Sequence, residues 1–113
     1  MCPDAKTNVD LAECLTVAAA KADEELQRYL GKAVAALSSP GYSTTASKQL
    51  EDSQAAWEAY RDKYCETVAE SFGSGSLRGH AAVACVLRVT RQRTYELWRD
   101  FLRPANLSEP EKP

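Results

Sequence analysis

Gln54-Ala55-Ala56-Trp57-Glu58-Ala59-Tyr60-Arg61-Asp62-Lys63-Tyr64-Cys65 sets its large side chains three or four residues apart and closes on a cysteine. At about 100° per residue that spacing is helical. Extended in both directions, it predicts a helix that starts within Ser43 to Ser47, carries Leu50, Trp57, Tyr64, Val68 and Phe72 on one face, and ends at Gly73-Ser74-Gly75-Ser76. A second amphipathic stripe precedes it. Leu11, Leu15, Ala18, Ala22, Leu26, Tyr29, Ala33 and Leu37 step by three or four, with Asn8 or Asp10 as the expected cap and Ser38-Ser39-Pro40-Gly41 as the stop. Gly31 lies inside this stripe, where a bend or an early end is expected. A third helix is read from Leu77 or Ala81 to Leu102, with Ala82, Val86, Leu97 and Phe101 on a common face and Pro104 as its stop. No strand-like alternation, repeat or linker competes. The expected fold is all-α, an antiparallel three-helix arrangement over residues 1–103, followed by a tail over 104–113 expected to be disordered.

Four cysteines in 113 residues form two spaced pairs, with eleven residues between Cys2 and Cys14 and nineteen between Cys65 and Cys85. An even count in a short chain reads first as a disulfide framework, and of the three possible connectivities proximity favours Cys2 with Cys14 and Cys65 with Cys85. Bridges persist in oxidising compartments, so this reading places the chain in a periplasm or outside the cell. Residues 1–113 contain no charged start followed by an apolar leader segment, so export requires a leader removed before residue 2. A lipid on Cys2 is the alternative, and it would leave an odd thiol. Metal is not expected, because the thiols are scattered and His80 is the only histidine.

The formal net charge of -2 argues against a nucleic-acid surface, and no apolar run approaches the roughly 18 residues of a membrane span. Charge is nevertheless segregated. Residues 43–72 carry three cations against six carboxylates, net -3, whereas residues 77–103 carry six arginines against two carboxylates, net +4. Arg88, Arg99 and Arg103, with Arg91 at the edge, fall on the outer face of the third helix, either a solvated row or a surface for an acidic partner. Glu51, Glu58, Asp62 and Glu66 gather on one side of the second helix and are the expected partner-binding residues. Trp98 and Tyr95 are the aromatics expected at the surface.

Polar residues also fall on apolar faces. Gln54 and Arg61 share the stripe of Leu50 and Trp57, and Thr90 and Arg93 share or flank that of Val86 and Leu97. Asp23, at the margin of the first stripe, is the expected acceptor for Arg61. These five residues form a polar layer that fixes helix register; the less economical reading is a binding or catalytic cleft built from Asp23, Arg61 and Arg93. Catalysis has little else to draw on. His80 has no evident partner for a nucleophile triad, the carboxylates are spread along a helix side, and Gly73-Ser74-Gly75-Ser76 lacks the lysine of a phosphate loop. No enzyme activity and no cofactor are expected.

Taken together, an early cysteine, Glu13-Cys14, Ala22-Asp23-Glu24-Glu25-Leu26 with Tyr29, the A-W-x-x-Y-R-D-x-x-C run over residues 56–65, and Cys85 followed by Thr90-Arg91-Gln92-Arg93-Thr94-Tyr95-Glu96-Leu97 resemble the LprI-like domain family. The family is named for a mycobacterial lysozyme inhibitor. The resemblance spans Cys2 to Leu102 and implies an exported or lipid-anchored helical domain with bridged cysteines that binds a protein, namely lysozyme or another cell-wall hydrolase. An immunity or adaptor protein against an envelope-targeted toxin, or a structural envelope module, are the other classes the sequence admits. Lysozymes are usually basic, so the acidic side of the second helix is the better electrostatic match.

Overall fold

The apolar stripe of the first segment runs without a break, and so does its helix. In the computed structural model, which describes residues 2–105 and 108–110, α1 spans Asn8–Leu37, α2 spans Ala46–Glu70 and α3 spans Leu77–Leu97, the last extended by a π turn over Trp98–Leu102 and a 3-10 turn over Arg103–Ala105. The chain is an all-α, up-down-up arrangement with both expected bridges formed. Gly31 neither bends nor ends α1. It is exposed, and a Cβ built there meets no atom within 4 Å. Gly31→Ala should therefore stabilise the protein by about 0.5–1 kcal/mol, read as a higher melting temperature. The cap of α1 is Thr7 rather than Asn8 or Asp10. Its side chain accepts from the Asp10 amide at 3.0 Å, while the Asp10 carboxylate accepts from the Lys6 amide at 3.4 Å. The first of these bonds satisfies an amide that a helix start leaves without a partner, and the second ties the residue before the cap to the first turn.

α3 is the centre of the molecule. α1 and α2 both pack along it and touch each other much less. One core cluster joins Leu26, Tyr29, Ala33 and Leu37 of α1 to Leu50, Leu97, Trp98 and Leu102. A second joins Leu15 and Ala22 to Leu87, and a third joins Cys65 to Cys85 and Val89. Because both flanks of α3 are covered, its buried arc is wider than the expected face. Cys85, Leu87, Val89, Thr90, Thr94 and Leu97 are buried, and Ala82, Val86 and Phe101 only partly so. The same double cover corrects the placement of Trp98. It is 8 % exposed, in the main cluster, with Arg103 stacked 5.7 Å from its ring centroid.

The face of α2 is also rotated from expectation. Leu50, Gln54, Cys65 and Ala69 are buried and Trp57 and Val68 partly so, whereas Tyr64 is exposed and Phe72 lies beyond the helix in solvent. Gly73, at φ 69°, turns the chain out of α2, and Gly41, at φ 102°, turns it between α1 and α2. Glycine takes these left-handed conformations without the Cβ penalty. Within the tail, Ser108 accepts a hydrogen bond from the Tyr29 hydroxyl at 2.9 Å and Pro110 is buried; residues 106, 107 and 111–113 lie outside the described residues. Burial, reinforced by Glu25, pushes the Tyr29 phenol above its ordinary value.

Candidate functional site

The polar residues on the inner faces of α2 and α3 meet around one indole. Trp57 stands between two guanidinium groups, Arg61 at 5.1 Å and Arg93 at 5.8 Å from the ring centroid. Arg93 donates from Nε to Gln54 Oε1 at 2.9 Å and from Nη2 to Ser53 Oγ at 3.3 Å, and it pairs with Glu96 at 3.5 Å. Gln54 is 4 % exposed, so its carbonyl depends on Arg93. Arg61 reaches the other way, to Asp62 at 3.1 Å and Asp23 at 3.9 Å, which ties α2 to α1. Its side chain is 17 % exposed, but both carboxylates are more than half exposed. Arg61 is thus an edge residue resting on Trp57, not a guanidinium sealed in the core as its wheel position indicated. Thr90 is buried, but its hydroxyl bonds none of the other four; it and Gln54 Nε2 have no hydrogen-bond partner among the described residues. Gln54, Arg93, Arg61 and Asp23 therefore form a chain of contacts across three helices, with Thr90 beside it.

The carboxylates Glu51, Glu58, Asp62 and Glu66 line the flank of α2 that turns towards α1. Asp62 is held by Arg61, and Glu66 faces Lys63 at 3.8 Å across an exposed pair. Glu51 and Glu58 have no ion-pair partner within 4 Å among the described residues. The opposite flank of α2 carries Tyr60 and Tyr64, ring-stacked at 5.6 Å, above a small groove of about 230 Å³ that also touches Arg88, Gln92 and Arg93. That exposed tyrosine pair was missed on the sequence, because Tyr64 was placed on the inner face of the helix with Leu50 and Trp57. Arg88, Arg99 and Arg103 are exposed and Arg91 is half-buried. Arg99 is bound to its neighbour Asp100 at 2.9 Å, and this hydrogen bond holds the Asp100 carboxyl below the usual carboxylate range.

Both cysteine pairs are bridged. Cys2 and Cys14 have Cα atoms 6.0 Å apart, and Cys65 and Cys85 5.5 Å apart. The Cys2 sulfur is engaged in the bridge to Cys14. A concavity of about 760 Å³ is an open groove beside this first bridge that mixes Asp4, Asp10, Glu13 and Glu25 with Lys21 and Arg91. His80 sits in the first turn of α3 with Nδ1 buried and unpartnered, and no cluster of His, Cys, Asp and Glu suited to a metal occurs among the described residues. No helix among them is long and apolar enough to cross a membrane.

The bridge positions, the Trp57 layer and the helix order bear directly on relationship. A family model described as lysozyme inhibitor LprI matches residues 2–97. The chain belongs to the LprI family. The matched span takes in both bridges and the whole of α1, α2 and α3, ending before the π turn over Trp98–Leu102. No curated protein and no solved structure gives a significant match. The family is described by inhibition, not catalysis, and in this LprI chain Arg93 of α3 bonds Gln54 and Ser53 of α2, while Arg61 of α2 pairs with its neighbour Asp62 and with Asp23 of α1. That use is structural.

Proposed function

We propose that the protein is an exported, non-catalytic binding protein that inhibits a lysozyme-type muramidase by occluding it, and that the acidic flank of α2 is the docking side. The match of residues 2–97 to the lysozyme-inhibitor family carries this reading. Two bridges support a periplasmic or secreted setting, since disulfides persist in oxidising compartments. The docking side follows from charge. Glu51, Glu58, Asp62 and Glu66 are aligned on one flank, and a basic enzyme approaching it is accelerated by long-range attraction.

Charge of this kind acts mainly on the encounter rate, which gives the test. Glu58→Gln/Asp62→Asn should slow association with a basic lysozyme several-fold at low salt and flatten its salt dependence, as followed by stopped-flow or surface-based kinetics. Arg88→Gln/Arg99→Gln should leave association unchanged or faster. The reverse pattern would move docking to α3.

A further inference from the structure

The acidic flank of α2 borders a groove whose shape and lining specify more than charge. α1 and α2 each pack along α3 and share few contacts with each other, and the clusters around Leu87 and around Cys85 draw on α1 and on α2 separately. The floor exposed between them is built from Ala19 of α1 and Ala82, Val83 and Val86 of α3, with Cys65 in the wall. Each floor residue is half-buried and none is larger than valine. Small side chains leave the space open, about 450 Å³, and the Cys65–Cys85 bridge fixes its α2 wall to its α3 floor. At the rim stand Asp62 and Glu66, both with side chains 69 % exposed, and Thr16. No cation lines it.

We propose that this groove receives a lysine or arginine side chain from a basic muramidase, its methylene stem on the alanine and valine floor and its charged head between Asp62 and Glu66. The inference rests on the inhibitor reading above and specifies the partner chemistry at that site. An entirely apolar side chain would desolvate the two carboxylates without replacing their hydrogen bonds, which is costly. An acidic one would be repelled. A long cationic chain satisfies both parts of the groove, because lysine and arginine lay their stems along apolar surface while the head stays with polar partners. The resident cations do not block it. Arg61 is stacked over Trp57 and bonds Asp62 through Oδ1 alone, at 3.1 Å, so Oδ2 is left to an incoming cation, and Lys63 holds Glu66 only through an exposed 3.8 Å pair that such a cation can displace.

The test measures binding to hen egg-white lysozyme and to the same enzyme with its lysines acetylated, using the bridged protein. Ala82→Trp, which fills the floor, and Asp62→Asn/Glu66→Gln, which empties the rim of charge while keeping its shape, should each weaken binding tenfold or more, with circular dichroism and melting confirming the fold. Tyr60→Ala/Tyr64→Ala, on the opposite flank of α2, should stay within twofold of the parent. Acetylated lysozyme should bind the parent more weakly and discriminate less between parent and rim variant. If the parent binds lysozyme and both groove variants bind it within twofold, the groove is overturned while the inhibitor reading stands. If the parent itself does not bind, the inhibitor reading falls, and the groove assignment with it.

Discussion

Replacing Cys65 and Cys85 together by alanine should lower stability by about 3 kcal/mol and the melting temperature by more than about 10 °C. The bridge closes a separation of 20 residues between α2 and α3, and both cysteines are almost wholly buried in a cluster with Val89. The loss follows from freeing the α2–α3 hairpin in the unfolded chain, to which the vacated sulfur volume adds. Cys2→Ala/Cys14→Ala, with a separation of 12 residues at the chain start, releases a segment that precedes α1. Its loop-closure contribution is slightly smaller, and fewer core contacts depend on it. Differential scanning calorimetry of the two double variants checks the order. Equal melting of the Cys65/Cys85 variant and the parent would mean that this bridge does not hold α2 to α3.

Arg93→Ala should cost about 2–3 kcal/mol, and Arg61→Ala only about 1 kcal/mol. Both arginines touch Trp57, so the contrast isolates what else they hold. Removing Arg93 strands the buried Gln54 carbonyl, whose Nε2 already lacks a partner, and leaves a buried amide with neither end satisfied. Removing Arg61 strands Asp23 and Asp62, but these carboxylates are exposed and water replaces the guanidinium. What is lost there is the stacking of the guanidinium on the indole. Arg99→Ala, which breaks only an exposed pair with Asp100, should cost least of the three. Urea denaturation of the three variants ranks them. A larger loss for Arg61 than for Arg93 would show that the Trp57 layer is sealed from solvent on the α1 side.

Helix number, order and bridging were legible because each rests on a strong local signal. The stripe from Leu11 to Leu37 has no competing period, and cysteine spacing left one economical pairing. Faces were harder to place. On α2 the apolar weight of Tyr64 and Phe72 pulled the expected face towards them, yet Cys65 and Ala69 are the residues that allow α2 to approach α3 closely, and the bridge sets the rotation. A wheel centred on the cysteine would have found the Tyr60–Tyr64 stack at the surface. Trp98 was misplaced for a related reason. A single stripe describes a helix covered on one side, and α3 is covered on two. The polar layer was legible as a set but not in its bonds. Periodicity put Gln54, Arg61, Thr90 and Arg93 on inner faces, but which arginine serves Gln54 depends on helix separation, which no one-dimensional pattern contains. The groove between α1 and α2 was beyond the sequence altogether, since it lies between two helices that pack separately on a third.

The central claim, that this chain silences a cell-wall hydrolase by binding it, is tested most directly by titrating the bridged protein against lysozyme turnover of bacterial cell walls. The account predicts that turnover falls in proportion to added protein and is nearly abolished near equimolar dose, and that prior reduction of both bridges relieves the inhibition. Undiminished turnover in molar excess of the intact, bridged protein would contradict it.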